Sequence, residues 1–492
     1  MLTDALKRLA RHSLVYAAGP AVQKLIGFAL LPFVTAWIGS RGNYGVVELS
    51  AVTLAVAAQV LGINLLQGLT RYYQGCESEA ERGRLVGTCV LLLLGTTSAA
   101  LGLAFVFRVR GAELLFGSGE YADALVLTAG ILVAQTLSQV GLRWLQILER
   151  SITYGVVTTT KLLLEVGLKV WFLAGLGLTY MGVLWSVLVG ELVVAAGVGV
   201  MLVARTRLGF SRAMAERLWR YSGPLLLSGL CGFVLHQGDR FFVLGNGGRD
   251  DVGVYALCYK LGSIGNAVVF EAFALIWFPF VFAIKDQDAL RRLVRAVMVY
   301  FLLVMAVVSL GIALFSPELV RLMADPQFFD AHRGLPLVAA GYFAWCAYQV
   351  ASTVFFVRER TWIVSALVAG AAAVNLAANA LLVPAMGWMG AAWATLLTFI
   401  VLAIAAWIVA ERVWCVGHEL GRVLVPPALG AALYAACVWL APANAVASLV
   451  LRACAVLALP GILWICGYLK TEEEHKLRAL VRKGLSAAFD RR

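Results

Sequence analysis

Fourteen apolar runs, each closed by a short polar cluster, order almost the whole of this 492-residue chain. A helix needs roughly 20 apolar residues to cross a bilayer, and runs of that length recur here every 20 to 30 residues or so. Spans are expected near 13–38, 46–70, 85–107, 121–148, 154–176, 181–203, 221–245, 253–283, 293–315, 334–357, 362–383, 389–410, 423–441 and 448–469. Soluble classes are excluded because 61% of residues are hydrophobic, only 14% are charged and mean hydropathy is +0.86. The alternating pattern of a membrane β-barrel is absent. The fold class expected is all-α integral membrane with about fourteen transmembrane helices.

Basic residues resist translocation, so their distribution sets orientation. With the N-terminus inside, cytoplasmic segments carry 27 of the 40 Lys and Arg residues, outer loops carry 6, and 7 lie within spans. Both termini are therefore expected in the cytoplasm. The net charge of +12 is spread over eight such segments, which reads as topology and argues against a nucleic-acid partner. Lys7, Arg8 and Arg11 precede an apolar stretch too long for a signal peptide. In the tail, Leu477, Leu480, Val481, Leu485 and Phe489 recur at helical spacing among basic residues, as in a helix lying on anionic membrane lipids. Nine cysteines without CxxC spacing imply neither a disulfide nor a zinc framework.

The chain repeats itself at an offset of 208. Gly45-Val46 falls on Gly253-Val254, Arg150 on Arg358, Thr153-Tyr154 on Thr361-Trp362, and Met181-Gly182 with Trp185 on Met389-Gly390 with Trp393. The organisation expected is an N-terminal lobe (1–203, spans 1–6), a basic cytoplasmic linker (204–220) and a C-terminal lobe (221–410, spans 7–12). Spans 13 and 14 (423–469) and a basic amphipathic tail (470–492) follow. A shift of six spans preserves membrane orientation, so the lobes are expected to be related by an axis along the membrane normal.

Charges inside hydrocarbon are costly and usually face a cavity or a partner. Lys24 lies deep in the first span without an acidic neighbour there. Lys161, Glu165 and Lys169 share one face of the fifth span at i, i+4 and i+8. Asp239 and Arg240 lie in the outer part of the seventh span; being about 100° apart on a helix, they are not expected to pair face to face. Lys24, Lys161, Lys169, Arg240 and Lys260 are the candidates for a cationic cavity that binds an anion, and internal ion pairing is the competing role, above all for Lys161 with Glu165. Glu165, Glu191, Asp239 and Glu271 are counterions or sites for a coupling proton or sodium ion. Arg143 and Arg452 read as snorkelling anchors.

The stretch Ile38-Gly39-Ser40-Arg41-Gly42-Asn43-Tyr44-Gly45, the segment from Gly238-Asp239-Arg240 to Leu244 with Val252-Gly253-Val254-Tyr255, and Asn375, Asn379, Pro384 and Gly387 carry a resemblance. The chain resembles the O-antigen and exopolysaccharide flippases, of the Wzx type, in the multidrug/oligosaccharidyl-lipid/polysaccharide exporter superfamily. That resemblance implies alternating-access transfer of a polyprenyl-pyrophosphate-linked oligosaccharide across a bacterial inner membrane. It also implies work beside glycosyltransferases and a glycan polymerase, with no cofactor beyond a possible proton or sodium gradient. Two neighbouring readings share the superfamily: a lipid II-type flippase, and a cation-coupled drug or metabolite antiporter, which is expected to place a carboxylate in the first span, where residues 13–38 have none. An enzyme reading fails for want of a long outer loop with catalytic residues or a nucleotide motif.

Overall fold

A computed structural model describes residues 23–205, 209–284, 286–417, 419–466 and 468. Lys7, Arg8 and Arg11, the start of the first span and the amphipathic tail lie outside the described residues. Among those described there is no strand, in keeping with a solvent that cannot satisfy open backbone groups.

Helix α1 covers residues 23–37, followed by α2 (Arg41–Val60), α3 (Leu65–Tyr73), α4 (Glu79–Val106), α5 (Arg108–Phe116), α6 (Ala122–Ile147), α7 (Ser151–Val170) and α8 (Thr179–Arg205). The second half runs α9 (Arg212–Gln237), α10 (Asp239–Gly262), α11 (Glu271–Ala283), α12 (Gln287–Leu314), α13 (Ser316–Met323), α14 (Leu335–Val357), α15 (Thr361–Met386) and α16 (Trp388–Val413). Helices α17 (Leu420–Trp439) and α18 (Ala445–Ile465) complete the chain. Ten of these elements are long and apolar enough to cross a membrane. Among the described residues the bent unit of α9 and α10 with α11 raises the number to eleven. Helices α1 and α7 stand where the first and fifth of the expected fourteen spans were placed and carry Lys24, and Lys161 with Glu165 and Lys169, charges that lower their hydropathy.

Local chemistry sets the helix starts. The Ser40 hydroxyl accepts from Asn43 N at 3.1 Å to open α2, Ser78 accepts from Glu81 N at 3.1 Å to open α4, and Asn444 accepts from Val446 N at 2.9 Å to open α18. Helix α9 begins at Arg212, inside the stretch read as linker, because Arg212, Glu216 and Arg217 favour helix and the first two pair at 3.1 Å. The expected second span is broken: Gly62, at φ 106°, separates α2 from α3. Gly248, at φ 75°, is the turn between the seventh and eighth spans, within α10.

The internal repeat is visible as a contact. Helix α2 crosses the part of α10 beyond Gly248 so closely that a Cβ on Gly45 would collide with the Arg249 carbonyl oxygen, and a Cβ on Gly253 with that of Arg41. Both pairs are related by the offset of 208, so the crossing is its own mirror under a local two-fold axis. The offset is not constant along the chain. Glu149 and Glu359 both take φ 54° and stand 210 apart, so Arg150 corresponds to Arg360, not Arg358. A two-residue difference in loop length is absorbed before Met181-Gly182 and Met389-Gly390, where 208 returns.

In the first half α6 packs against α4 and α8, and in the second α14 packs against α12 and α16. Helices α17 and α18 lean on α12, where Leu310 and Leu314 meet Cys437, Ala455, Leu459 and Leu463. Arg452, read as an anchor, pairs instead with Glu318 at the start of α13, donating at 2.9 Å to both carboxylate oxygens. A bidentate partner within reach outcompetes the headgroup region.

Candidate functional site

The i, i+4, i+8 spacing on α7 puts Lys161, Glu165 and Lys169 on one face, turned toward α1 and α8. Lys161 Nζ stands 2.6 Å from Glu191 Oε1 on α8 and 3.6 Å from Glu165 Oε1 on its own helix. The nearer partner is thus Glu191, not the Glu165 that sequence spacing favoured. Glu191 is 1% exposed, and Ser138 of α6 donates to its other oxygen at 2.5 Å. A carboxylate so enclosed requires a close cation, and the neighbouring helix supplies it. Glu165 fits because its neighbour on α8 is Gly190: a Cβ there would lie 2.5 Å from Glu165 Cγ. Between α1 and α7 lies a cavity of about 230 Å³ lined by Gln23, Lys161, Glu165 and Lys169.

Beside it, Lys24 of α1 pairs with Glu271 of α11, joining the two repeats through a contact of Nζ with both carboxylate oxygens. The side chains stay 47% and 42% exposed. Ion pairs within a span are tolerated where they face a cavity or a partner, and here each charge has its partner. Lys260 of α10 is exposed as well and lies against Tyr44 and Glu48 of α2. Lys169 and Lys260 are near enough to repel.

Arg240 is placed differently. It is 3% exposed, donates to Asp239 Oδ1 at 2.6 Å and to the His236 carbonyl at 2.7 Å, and sits 4.1 Å from the Tyr259 ring centroid. Its Nε is 3.8 Å from Glu48 Oε1. Tyr255 donates to the other Asp239 oxygen and stands 3.2 Å from Thr395 Oγ1. Asp239 and Arg240 thus pair although adjacent, because the guanidinium folds back along the helix to the carbonyl four residues earlier and meets the carboxylate on the way. The network ties α2, α9, α10 and α16 together and pairs the Arg240 charge internally, although its Nε is buried without a hydrogen-bond partner.

Sequence reasoning gave no site role to Glu48, which faces both Lys260 and Arg240, or to Tyr44, which faces Lys260. Glu48 is the third residue of the expected second span, and its i, i+4 relation to Tyr44 was the available signal. Among the described residues no group of three His, Cys, Asp or Glu side chains is arranged to hold a metal.

Over residues 77–332, just over half its length, the chain matches the family described as polysaccharide biosynthesis protein. It belongs to that family. The matched region contains Lys161, Glu165, Lys169, Glu191, Asp239, Arg240, Lys260 and Glu271, while Lys24 and Glu48 precede it. The fold is shared with a solved flippase and with solved multidrug transporters. The family member superposes on lipid II flippase MurJ in an inward closed conformation with a TM-score of 0.71 at 10% identity, covering 92% of this chain and 98% of that one. It also superposes on a point mutant of the Vibrio cholerae MATE transporter VcmN (TM-score 0.56, 18% identity, 82% and 96% covered). An inward-facing multidrug resistance transporter gives a TM-score of 0.58 at 16% identity, with 82% and 95% covered. No curated protein matches the chain by sequence. The protein is therefore a multi-pass membrane protein with a transporter fold.

Proposed function

We propose that the protein flips a polyprenyl-pyrophosphate-linked oligosaccharide from the cytoplasmic to the outer leaflet of a bacterial inner membrane by alternating access, with both termini in the cytoplasm. The observation that carries this reading is the gathering of Lys161 and Lys169 on one cavity beside Lys24, with Lys260 near Lys169. Lys161 and Lys24 rest on the carboxylates of Glu191, Glu165 and Glu271, and a pyrophosphate, which offers several charged oxygens at once, is the kind of anion that competes with those carboxylates for the lysines. The cluster lies where α1 of one repeat faces α11 of the other, the place that changes when repeats rock. Membership of the polysaccharide biosynthesis family favours a glycan cargo, made and consumed by neighbouring glycosyltransferases and a polymerase.

A place for the lipid tail supports the same reading. Helices α12, α14 and α17 enclose an apolar cavity of about 370 Å³ lined by Leu310, Ala313, Leu337, Phe343, Pro427 and Tyr434. The fold relatives, a lipid II flippase and multidrug transporters, mark the two neighbouring functions, and the drug-antiporter reading lacks its first-span carboxylate. The test is genetic: a strain lacking the protein accumulates a lipid-linked glycan on the inner leaflet. Normal outer-leaflet glycan in that strain overturns the proposal.

A further inference from the structure

We infer that Glu165 is a proton-binding site that competes with the anionic headgroup for Lys161 and Lys169, so that headgroup binding takes up a proton. This inference rests on the flippase reading above and adds its coupling ion. It starts from an imbalance in the α7–α8 cluster. One ammonium, Lys161, is shared by two enclosed carboxylates, and the shares are unequal: Glu191 holds it at 2.6 Å and is further satisfied by Ser138 at 2.5 Å. Glu165 holds it at 3.6 Å, and its Oε1 is buried with no hydrogen-bond partner. An enclosed carboxylate oxygen without a donor is costly, and protonation removes the cost.

The charged groups facing Glu165 are Lys161 and Lys169 on its own helix and Glu191 on α8; α1 contributes Gln23 to the shared cavity, and its Lys24 is engaged by Glu271. Glu165 therefore depends on the two lysines for its negative charge. They border the same cavity, open to a ligand. An anion entering there takes up Lys169 and draws Lys161, which keeps its contact with Glu191, away from Glu165, and Glu165, left beside Glu191 and the anion, binds a proton from water. The balance is one proton gained on the Glu165 carboxyl for one anionic headgroup bound, and one released when the headgroup leaves. Glu165 occupies the space that a side chain at Gly190 would fill, with its Oε1 2.7 Å from the position of a Cβ there.

The sign follows. A lower pH protonates Glu165, frees the lysines and strengthens headgroup binding. A pyrophosphate esterified on both phosphates keeps its charges throughout this range, so the dependence is the protein's. The probe is farnesyl pyrophosphate esterified to N-acetylglucosamine, titrated into purified full-length protein by calorimetry in buffers of different ionisation enthalpy. Affinity is expected to rise roughly three- to tenfold per pH unit as pH falls from about 8 to about 6, with net proton uptake. Glu165→Gln is expected to bind tightly at both ends of that range with neither slope nor uptake. Wild-type binding without proton uptake overturns the inference and leaves the flippase reading standing, and it does so whether or not the variant folds. A full slope retained by folded Glu165→Gln does the same. Absence of wild-type binding, or binding indifferent to Lys161→Ala and Lys169→Ala, overturns both.

Discussion

At the scale of single residues, the ion pairs differ in what they guard. Lys161 is the cation that keeps Glu191 buried, so Lys161→Ala is expected to cost about 3 kcal/mol by leaving that carboxylate uncompensated. Adding Glu191→Gln should restore most of the loss, whereas adding Glu165→Ala should restore little; thermal unfolding in detergent distinguishes the two double variants. Recovery with the Glu165 change alone would reassign the pair to the helix-local partner that spacing suggested. Arg240 belongs to the same class. With Asp239, the His236 carbonyl and Tyr259 all gathered on it, Arg240→Ala should lower abundance before any question of transport arises. Lys24 is the contrast: its pair with Glu271 is half exposed, so Lys24→Ala should leave the melting temperature within a few degrees of wild type.

At the scale of helices, the crossing of α2 with α10 is the least forgiving feature. Gly45→Ala and Gly253→Ala each press a methyl on the opposing carbonyl, and each should destabilise by about 1–3 kcal/mol. Because both act on one crossing, the double variant should fall short of their sum. Additive losses in unfolding experiments would show that the two glycines serve separate contacts. The positions of the spans were legible in the sequence, since roughly 20 apolar residues leave few other structures open. The turn at Gly248 was legible as well, as the gap between the spans at 221–245 and 253–283, but the break at Gly62 was not, because a glycine in an apolar run reads equally as close packing or as a turn, and only its φ decides. The candidate site was legible as a set of charged residues but not as pairs. Lys161 meets Glu191, and Lys24 meets Glu271, through the rotation of neighbouring helices, which no spacing within one helix encodes.

At the scale of the molecule, orientation and transport remain to be joined. In a cysteine-free background, Cys introduced at exposed Arg333 and Ala443 should react with an impermeant reagent from outside the cell, and Cys at exposed Ser78 and Arg212 should react only after permeabilisation. Reversed labelling would overturn the charge-based topology. Removing residues 423 onward deletes nearly all of α17, which supplies one wall of the apolar cavity beside α12, and the whole of α18, which packs on α12, and should abolish transfer of long-chain lipid-linked glycan while sparing the two repeats. The central claim, that a cationic site beside the α1–α11 contact receives a pyrophosphate headgroup, is tested most directly in proteoliposomes loaded with polyprenyl-pyrophosphate-linked oligosaccharide, by following how much becomes accessible to a glycosidase on the opposite leaflet. Wild-type protein should equilibrate the leaflets, Lys24→Arg should retain part of the rate, and Lys24→Glu, which sets a second carboxylate against Glu271, should abolish it at equal protein content. Transfer at the wild-type rate by Lys24→Glu would contradict the account.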